Sequence, residues 1–224
     1  QNTVLLSEGF NAGTNSWALT NNSTGGTPAN AAWTLRPDGY SYFWGNPYPT
    51  YTFSSNDSSQ FYLSNSAAQN NSGSTTATLL RSPSMNTTGY TSLSLEFYQF
   101  YLDFDGTDGG IVEVSTNNTS WTQVAKYTTT QGSQSSFLKT TVDLSAYINN
   151  PTLYVRFRYD ANYDWFWAID NVTVSGNKTI NYTYSWAASP SGTAGLPAGA
   201  DTASTSNNSI VASPTANTAY TVTA

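Results

Sequence analysis

"WFWAIDNVTVSG", residues 165–176, decides how this chain is read. Apolar and polar residues alternate, β-branched side chains recur and a Gly closes the run, the marks of a β-strand. Alternation sends Ala168, Asp170, Val172 and Val174 to one face and Ile169, Asn171 and Thr173 to the other. The first face is the more apolar and is the expected inner one, yet a carboxylate sits in its middle. The opposite end of the chain repeats the pattern. In "TVLLSEGF", residues 3–10, Val4, Leu6, Glu8 and Phe10 share a face, and Glu8 stands where its neighbours predict core.

A lone ionised carboxylate on an inner face is costly unless it is neutralised or paired. Basic side chains are poorly placed to pair with it. Arg156 and Arg158 alternate with Val155, Phe157 and Tyr159 and so point outward, and the other basic residues lie on turns or polar strands. A hard cation would meet the cost, since calcium takes roughly six to eight oxygens from carboxylates, carbonyls, amides and water. Glu8 and Asp170 would meet in a sandwich whose first and last strands are neighbours. The alternative is that one or both lie at exposed strand ends, hydrogen-bonded to backbone N–H groups.

Composition narrows the class. The 224 residues are 38% hydrophobic and only 9% charged, but 15% are aromatic. Short strands with polar turns and Tyr, Trp and Phe in the core fit this profile; disorder does not, because disordered chains are poor in aromatics. The chain has no Cys and no His, which removes Ser–His–Asp and Cys–His nucleophile systems, His- or Cys-ligated zinc, and any disulfide staple. A net charge of −6 with seven Lys and Arg argues against nucleic acid. No apolar run approaches the ~20 residues of a membrane-spanning helix, so no membrane insertion is expected. "QNTVLL" is compatible with a mature N-terminus exposed by processing.

Nine strand-like runs recur between turn clusters: "TVLLSEGF", "QFYLSN", "TTATLLRSP", "SLSLEFYQFYL", "GIVEVS", "WTQVAKY", "FLKTTVDLS", "LYVRFRYD" and "WAIDNVTV". They predict an all-β, antiparallel two-sheet jelly-roll sandwich. A hairpin is expected to turn near Asn117 and Asn118, and one helical turn at "DLSAYI" with Asp143 as cap. The texture changes after Gly176. Residues 1–176 form the expected jelly roll. Residues 177–224 hold two strand candidates, "INYTYSWAAS" and "TAYTVTA", with a weaker one, "NNSIVAS", between them. Some 48 residues make a marginal core alone.

"SEGF", "LLRSPSM", "LSLEFYQFY", "DGGIVEVST", "SWTQV", "TTVDLSAY", "LYVRFRYD" and "WAIDNVTV", in this order over roughly residues 5–175, resemble the MAM-like jelly-roll domains of bacterial surface proteins. These are the cleaved-adhesin or "choice-of-anchor" group, also attached to gingipain-type proteases. The resemblance implies a two-sheet jelly roll with structural calcium (Ca2+), whose ligands include the early Glu of an E-x-F segment and the Asp of a closing I-D-(N/D)-V segment. Here those positions are Glu8 and Asp170. "SSNDSSQFYLSN" is the expected source of further donors, main-chain carbonyls among them, with Asp57 its carboxylate. One departure stands out: "STNNTSW" has lost the Asp and Gly of the S-x-D-x-G-x-x-W turn of relatives. Residues 177–224 resemble part of the Ig-like or PKD-like repeats of secreted Bacteroidetes proteins, which often end in Y-T-V-T; the first strands of such a repeat are missing.

Three other segments carry possible chemistry. "YLDFDGTDGG" places Asp103, Asp105 and Asp108 at the spacing of the start of a calcium loop, without the Glu and flanking helices of an EF-hand; an acidic loop held by Asx-turns is the competing reading. "PDGYSYFWGNPYPTYTF" crowds aromatic rings between Pro and Gly, with Tyr42, Trp44 and Tyr48 the residues placed to stack on a sugar or anchor a protein. The competing and favoured reading is a loop folded back over the sandwich. "DTA" at 201–203 matches a short O-glycosylation pattern at Thr202. Glu8, Glu96 and Glu113 are scattered and show no glycosidase arrangement, so no catalytic residue is expected. The sequence therefore predicts a non-catalytic, calcium-stabilised extracellular adhesin module of a larger cell-surface or secreted bacterial protein. Its partners would be surface or matrix proteins or glycans, further domains of its own chain, or a secretion and anchoring apparatus. A carbohydrate-binding module, or an accessory domain of a secreted protease or glycanase, is the alternative.

Overall fold

The computed structural model describes residues 1–224, the side chain of Thr193 excepted. The chain divides into two compact units, Gln1–Lys178 and Thr179–Ala224.

The first unit is an antiparallel sandwich. Its strands are β1 (Asn2–Glu8), β2 (Ala18–Asn21), β3 (Thr34–Arg36), β4 (Ser41–Tyr42), β5 (Tyr51–Thr52), β6 (Phe61–Asn65), β7 (Thr76–Arg81), β8 (Ser94–Leu102), β9 (Gly109–Ser115), β10 (Thr122–Tyr127), β11 (Leu138–Asp143), β12 (Tyr154–Ala161) and β13 (Phe166–Asn177). One sheet runs β11-β8-β13-β6-β3, with β1 also on β13; the other runs β10-β9-β12-β7-β2; β4 and β5 form a separate hairpin. All nine predicted runs are strands. The four that the sequence did not signal, β2 to β5, have two to four residues each, too few for alternation to show. The hairpin turns at Asn118, whose φ is +61°. The helical turn is a 3-10 segment, Ser145–Tyr147, but its N-cap is Leu144 and not Asp143; Asp143 stands one residue earlier, where its carboxylate accepts the Ser145 amide at 2.9 Å.

Alternation works cleanly in β12. Val155, Phe157, Tyr159 and Ala161 are buried in the core, while Arg156 and Arg158 point outward and pair with Glu113 on β9. The six-stranded sheet differs, because both of its faces are covered. On the sandwich side Trp167 and Ile169 join Phe97, Tyr101, Phe157 and Tyr159. On the other side Phe166 and Ala168 join Phe53, Phe61, Leu63, Phe100 and Phe137, roofed by the aromatic loop through Tyr40, Tyr42, Trp44, Tyr48 and Tyr51. That is why Phe166 to Asp170 are all buried. Trp167 is fully buried and its indole N–H donates to Gln99 Oε1 at 2.9 Å. Gly110 leaves room for this ring, since a Cβ there would stand 3.0 Å from it. Truncating so large a core side chain costs roughly 3–5 kcal/mol.

Strand β13 also explains where the sandwich opens. One edge pairs with β8 along most of its length; the other pairs with β6 over Phe166–Ile169 and then with β1 over Val172–Asn177. Between the two partners the register slips, and Asn171 adopts a φ of +47°. This bulge corrects the sequence reading of Asp170. Alternation places Asp170 with Ala168 and Phe166, whereas Val172 and Val174 belong with Ile169 in the sandwich interior. A second bulge, between Val4 and Leu6, leaves Val4 exposed at 56% and both Leu5 and Leu6 against the core. Strand β1 therefore does not keep one inner face from Val4 to Phe10. Gly176 does not end β13, which runs on to Asn177; a Cβ at Gly176 would collide with the Ser92 carbonyl.

In the second unit β14 (Ser185–Ser189) and β15 (Ala219–Thr223) pair antiparallel. "NNSIVAS" is not a strand: a 3-10 turn over Thr205–Asn208 runs into its start and the rest is irregular. Its anchors are polar contacts of aromatic side chains, Trp186 Nε1–H to Asn207 O at 2.8 Å and Tyr220 Oη–H to Ala194 O at 2.6 Å. No helix among the described residues is long and apolar enough to cross a membrane.

Candidate cation sites and aromatic cavity

The handover from β6 to β1 along β13 gathers three segments: residues 8–11, residues 55–60 and the bulge at 170–171. Asp170 is fully buried. Its Oδ1 accepts the Asn171 amide at 2.7 Å, and its Oδ2 is buried without a hydrogen-bond partner. Burial pushes this carboxyl up to about 7 and the nearby Asp57 charge adds to it, while the Asn171 amide and the Ser55 hydroxyl oppose the shift. Asp57 is exposed. Its Oδ1 accepts from Ser55 Oγ at 3.2 Å and its Oδ2 from Asn171 Nδ2 at 2.9 Å. Partial burial raises its pKa, but hydrogen bonds from Ser59, Asn171 and Ser55 outweigh that and hold it below the usual range. Glu8 is half-buried at the end of β1, opposite Val172. Its Oε1 accepts the Phe10 amide at 2.7 Å, in a turn where Phe10 has a φ of +54°.

Asp57 and Asp170 thus flank Asn171, with Glu8 across the strand pair. Both alternatives raised by the sequence have a counterpart here: Glu8 and Asp170 each accept a backbone amide, yet Asp170 is not at an exposed strand end. Among the described residues no group of three or more acidic side chains closes into a ready cation cage; any ion here would need main-chain oxygens or water as well. The sequence reading missed Asp38, whose Oδ1 receives the Ser55 amide at 3.0 Å, and the side chain of Asn171. Neither shows in an alternation pattern.

The acidic loop after β8 also divides. Asp105 is exposed and turns onto its own loop, accepting from Thr107 N and Oγ1 at 2.9 and 2.5 Å. This is the Asx-turn reading. Asp103 Oδ1 accepts the Gly106 amide at 3.1 Å and the Tyr101 hydroxyl at 3.4 Å. Asp108 is buried, and its Oδ1 accepts from Asn162 N at 2.9 Å; burial raises its pKa. A residue the sequence gave no sign of, Asp164, lies beside them. Asp164 is 3% exposed, and both carboxylate oxygens are buried with no hydrogen-bond partner. It stands on the connection between β12 and β13, where no periodicity exists to expose it.

The aromatic loop folds back over the sheet, as the favoured reading expected. Tyr42 packs its edge on Phe166. Trp44 and Tyr48 pack on each other and on Trp165, and Trp44 Nε1–H donates to Tyr163 Oη at 3.0 Å. Trp44 and Tyr48, with Phe104, Tyr163, Asp164 and Trp165, line a cavity of about 110 Å³, from which Tyr42 is absent. Thr202 is exposed, in a turn closed by its amide to Gly199 O at 3.1 Å. Glu96 pairs with Lys139 and Glu113 with Arg156, so neither joins Glu8.

No protein-family model and no curated protein matches the chain. Solved structures do resemble it. The K1 cleaved adhesin domain of Lys-gingipain from Porphyromonas gingivalis W83 is 17% identical, with a TM-score of 0.53 over 78% of this chain and 99% of that one. The K3 cleaved adhesin domain of the same protein is 16% identical, with a TM-score of 0.47 over 79% and 100%. TmCBM61, solved with β-1,4-galactotriose, is 5% identical, with a TM-score of 0.41 over 72% and 89%. The likeness to K1 is one of fold: an all-β, adhesin-like jelly roll.

Proposed function

We propose that this chain is a non-catalytic extracellular binding module of MAM-like, cleaved-adhesin type, stabilised by calcium held at Glu8, Asp57 and Asp170. Its C-terminal unit is the partial Ig-like segment of a larger surface or secreted protein. The observation that carries the reading is Asp170 Oδ2, a carboxylate oxygen buried without a partner at the one place where β13 changes neighbours. The donor set suits a hard cation: carboxylates and amide oxygens, with neither thiol nor imidazole in the chain. A bound ion neutralises Asp170 and reinforces the hydrogen bonds that tie the 55–60 loop and β1 to β13, in a chain without disulfides. The exposed loops then serve as the adhesive surface, toward protein or glycan.

Thermal unfolding tests this. Calcium at about a hundred times its dissociation constant adds roughly 2.7 kcal/mol, a rise of about 5–10 °C in Tm for a domain of this size. EDTA should remove the rise, and Glu8→Gln and Asp170→Asn should shrink it. An unchanged midpoint with no calcium in elemental analysis defeats the reading. Glycan arrays on wild type and Trp44→Ala test the partner class; signal that survives in the variant places any sugar site away from the aromatic cavity.

A further inference from the structure

We propose a second hard-cation site, formed by Asp103 and Asp108 from the loop after β8 together with Asp164 from the connection into β13. Asp164 carries the argument. Both of its oxygens are buried and make no well-formed hydrogen bond. The Trp165 and Phe104 amides lie near enough to favour its charge, but the charges whose fields reach it belong to Asp108 and Asp103, both negative. Nothing among the described residues supplies a positive partner. The phenol oxygens of Tyr101 and Tyr159 also lie within reach of its field, and Tyr159 Oη is itself buried without a partner. The spot therefore gathers oxygen atoms and negative charge.

Protonating Asp164 relieves this only in part, because it leaves the negative charges of Asp108 and Asp103 unanswered. A cation relieves it, by neutralising Asp164 and drawing in Asp103 and Asp108, whose Oδ1 atoms already accept amides. Their Oδ2 atoms face no donor in any of the described contacts. The three carboxylates do not close on one point, so water and main-chain carbonyls complete the shell, as calcium permits. This site stands independently of the one at Asp170, which lies beyond the far end of the Phe166–Ile169 pairing.

The test is an ion count on the full chain, stripped with EDTA and re-equilibrated with calcium alone. Equilibrium dialysis should find about two ions on wild type, one on Asp164→Asn, one on Asp170→Asn and none on the double variant. Terbium luminescence excited through tryptophan gives a second readout, since Trp165 adjoins Asp164; Asp164→Asn and Asp108→Asn should each lose most of that emission while near-UV circular dichroism stays native. If Asp164→Asn and Asp108→Asn bind as many ions as wild type, the second site is overturned and water or a proton occupies the spot. If Asp170→Asn binds as many ions as wild type while Asp164→Asn loses one, the Glu8 reading fails and this one stands.

Discussion

Glu113 and Asp170 are both buried carboxylates on strands of the same sandwich, and the protein treats them in opposite ways. Glu113 sits where the β9–β12 ladder is unbroken, with Arg156 directly across, although the β10 side of β9 carries a bulge at Gln123–Ala125. Its Oε2 lies 2.6 Å from Arg156 Nε and 3.3 Å from Arg158 Nε, and Arg156 in turn stacks over Trp121 at 4.0 Å. Asp170 faces Tyr98 across the ladder, and the bulge beside it breaks the register that could deliver a basic side chain. Regular pairing lets a strand answer a charge from its neighbour. A bulge or a loop, as at Asp170 and Asp164, leaves the carboxylate without a basic partner from the neighbouring strand.

The largest consequence is a pH dependence with an unusual sign. Burial lifts both Asp170 and Asp164 to about 7, above the ordinary carboxylate value. Between that ordinary value and about 7 the folded state holds more protons than the unfolded one, so stability falls as pH rises through the window. Three units correspond to on the order of 4 kcal/mol for each group as an upper bound. Metal-free protein should thus melt at a higher temperature at pH 5 than at pH 8, and Asp170→Asn should flatten much of that slope. With calcium the sign should reverse, because the ion needs the deprotonated carboxylate. Metal-free protein more stable at pH 8 than at pH 5 would mean that neither carboxylate is desolvated as the structure has it.

How far the sequence carried follows the same division. Strands β6 to β13 were legible because each is long enough for alternation to show, and the turn at Asn118 because Asn tolerates a positive φ. The juxtaposition of Glu8 and Asp170 was reached through an argument whose detail failed. Strict alternation ignored the bulges at Val4–Leu6 and Asp170–Thr173, and so put Asp170 on the wrong face of its strand. Asp170 is buried all the same, because this sheet is covered on both faces. Asp164 was invisible for the complementary reason: a loop residue has no face until the fold assigns one. The aromatic loop was legible as a roof, but its cavity depends on Phe104 and Tyr163, which come from other loops.

A smaller effect separates paired from unpaired charges. Arg156→Ala removes the nearer partner of Glu113 and its stacking on Trp121, but leaves Arg158 in reach. The cost should be roughly 2 kcal/mol, below the range for an uncompensated buried charge, or about 4–8 °C in Tm. Unlike the response of Asp170→Asn, it should be the same with and without calcium. Adding Glu113→Gln should restore part of the loss, because the stranded charge is then gone. If the double variant is worse than Arg156→Ala alone, packing of the guanidinium stem rather than charge is what the pair contributes.

The smallest effect is the most diagnostic of what burial does. Lys139 Nζ lies 3.0 Å from Glu96 Oε1, closer than Arg158 Nε lies to Glu113. By distance alone it should matter as much. But the Lys139 and Glu96 side chains are 51% and 37% exposed, against 17% and 8% for Arg156 and Glu113, so water already solvates both charges and screens their attraction. Lys139→Ala should leave the midpoint unmoved within error at moderate salt, since the stranded Glu96 simply hydrates. A drop as large as that of Arg156→Ala would show that proximity, not desolvation, sets the worth of a charge pair here. The reason for expecting ions at Asp170 and Asp164 would go with it, because that reason is the cost of leaving a desolvated carboxylate unanswered.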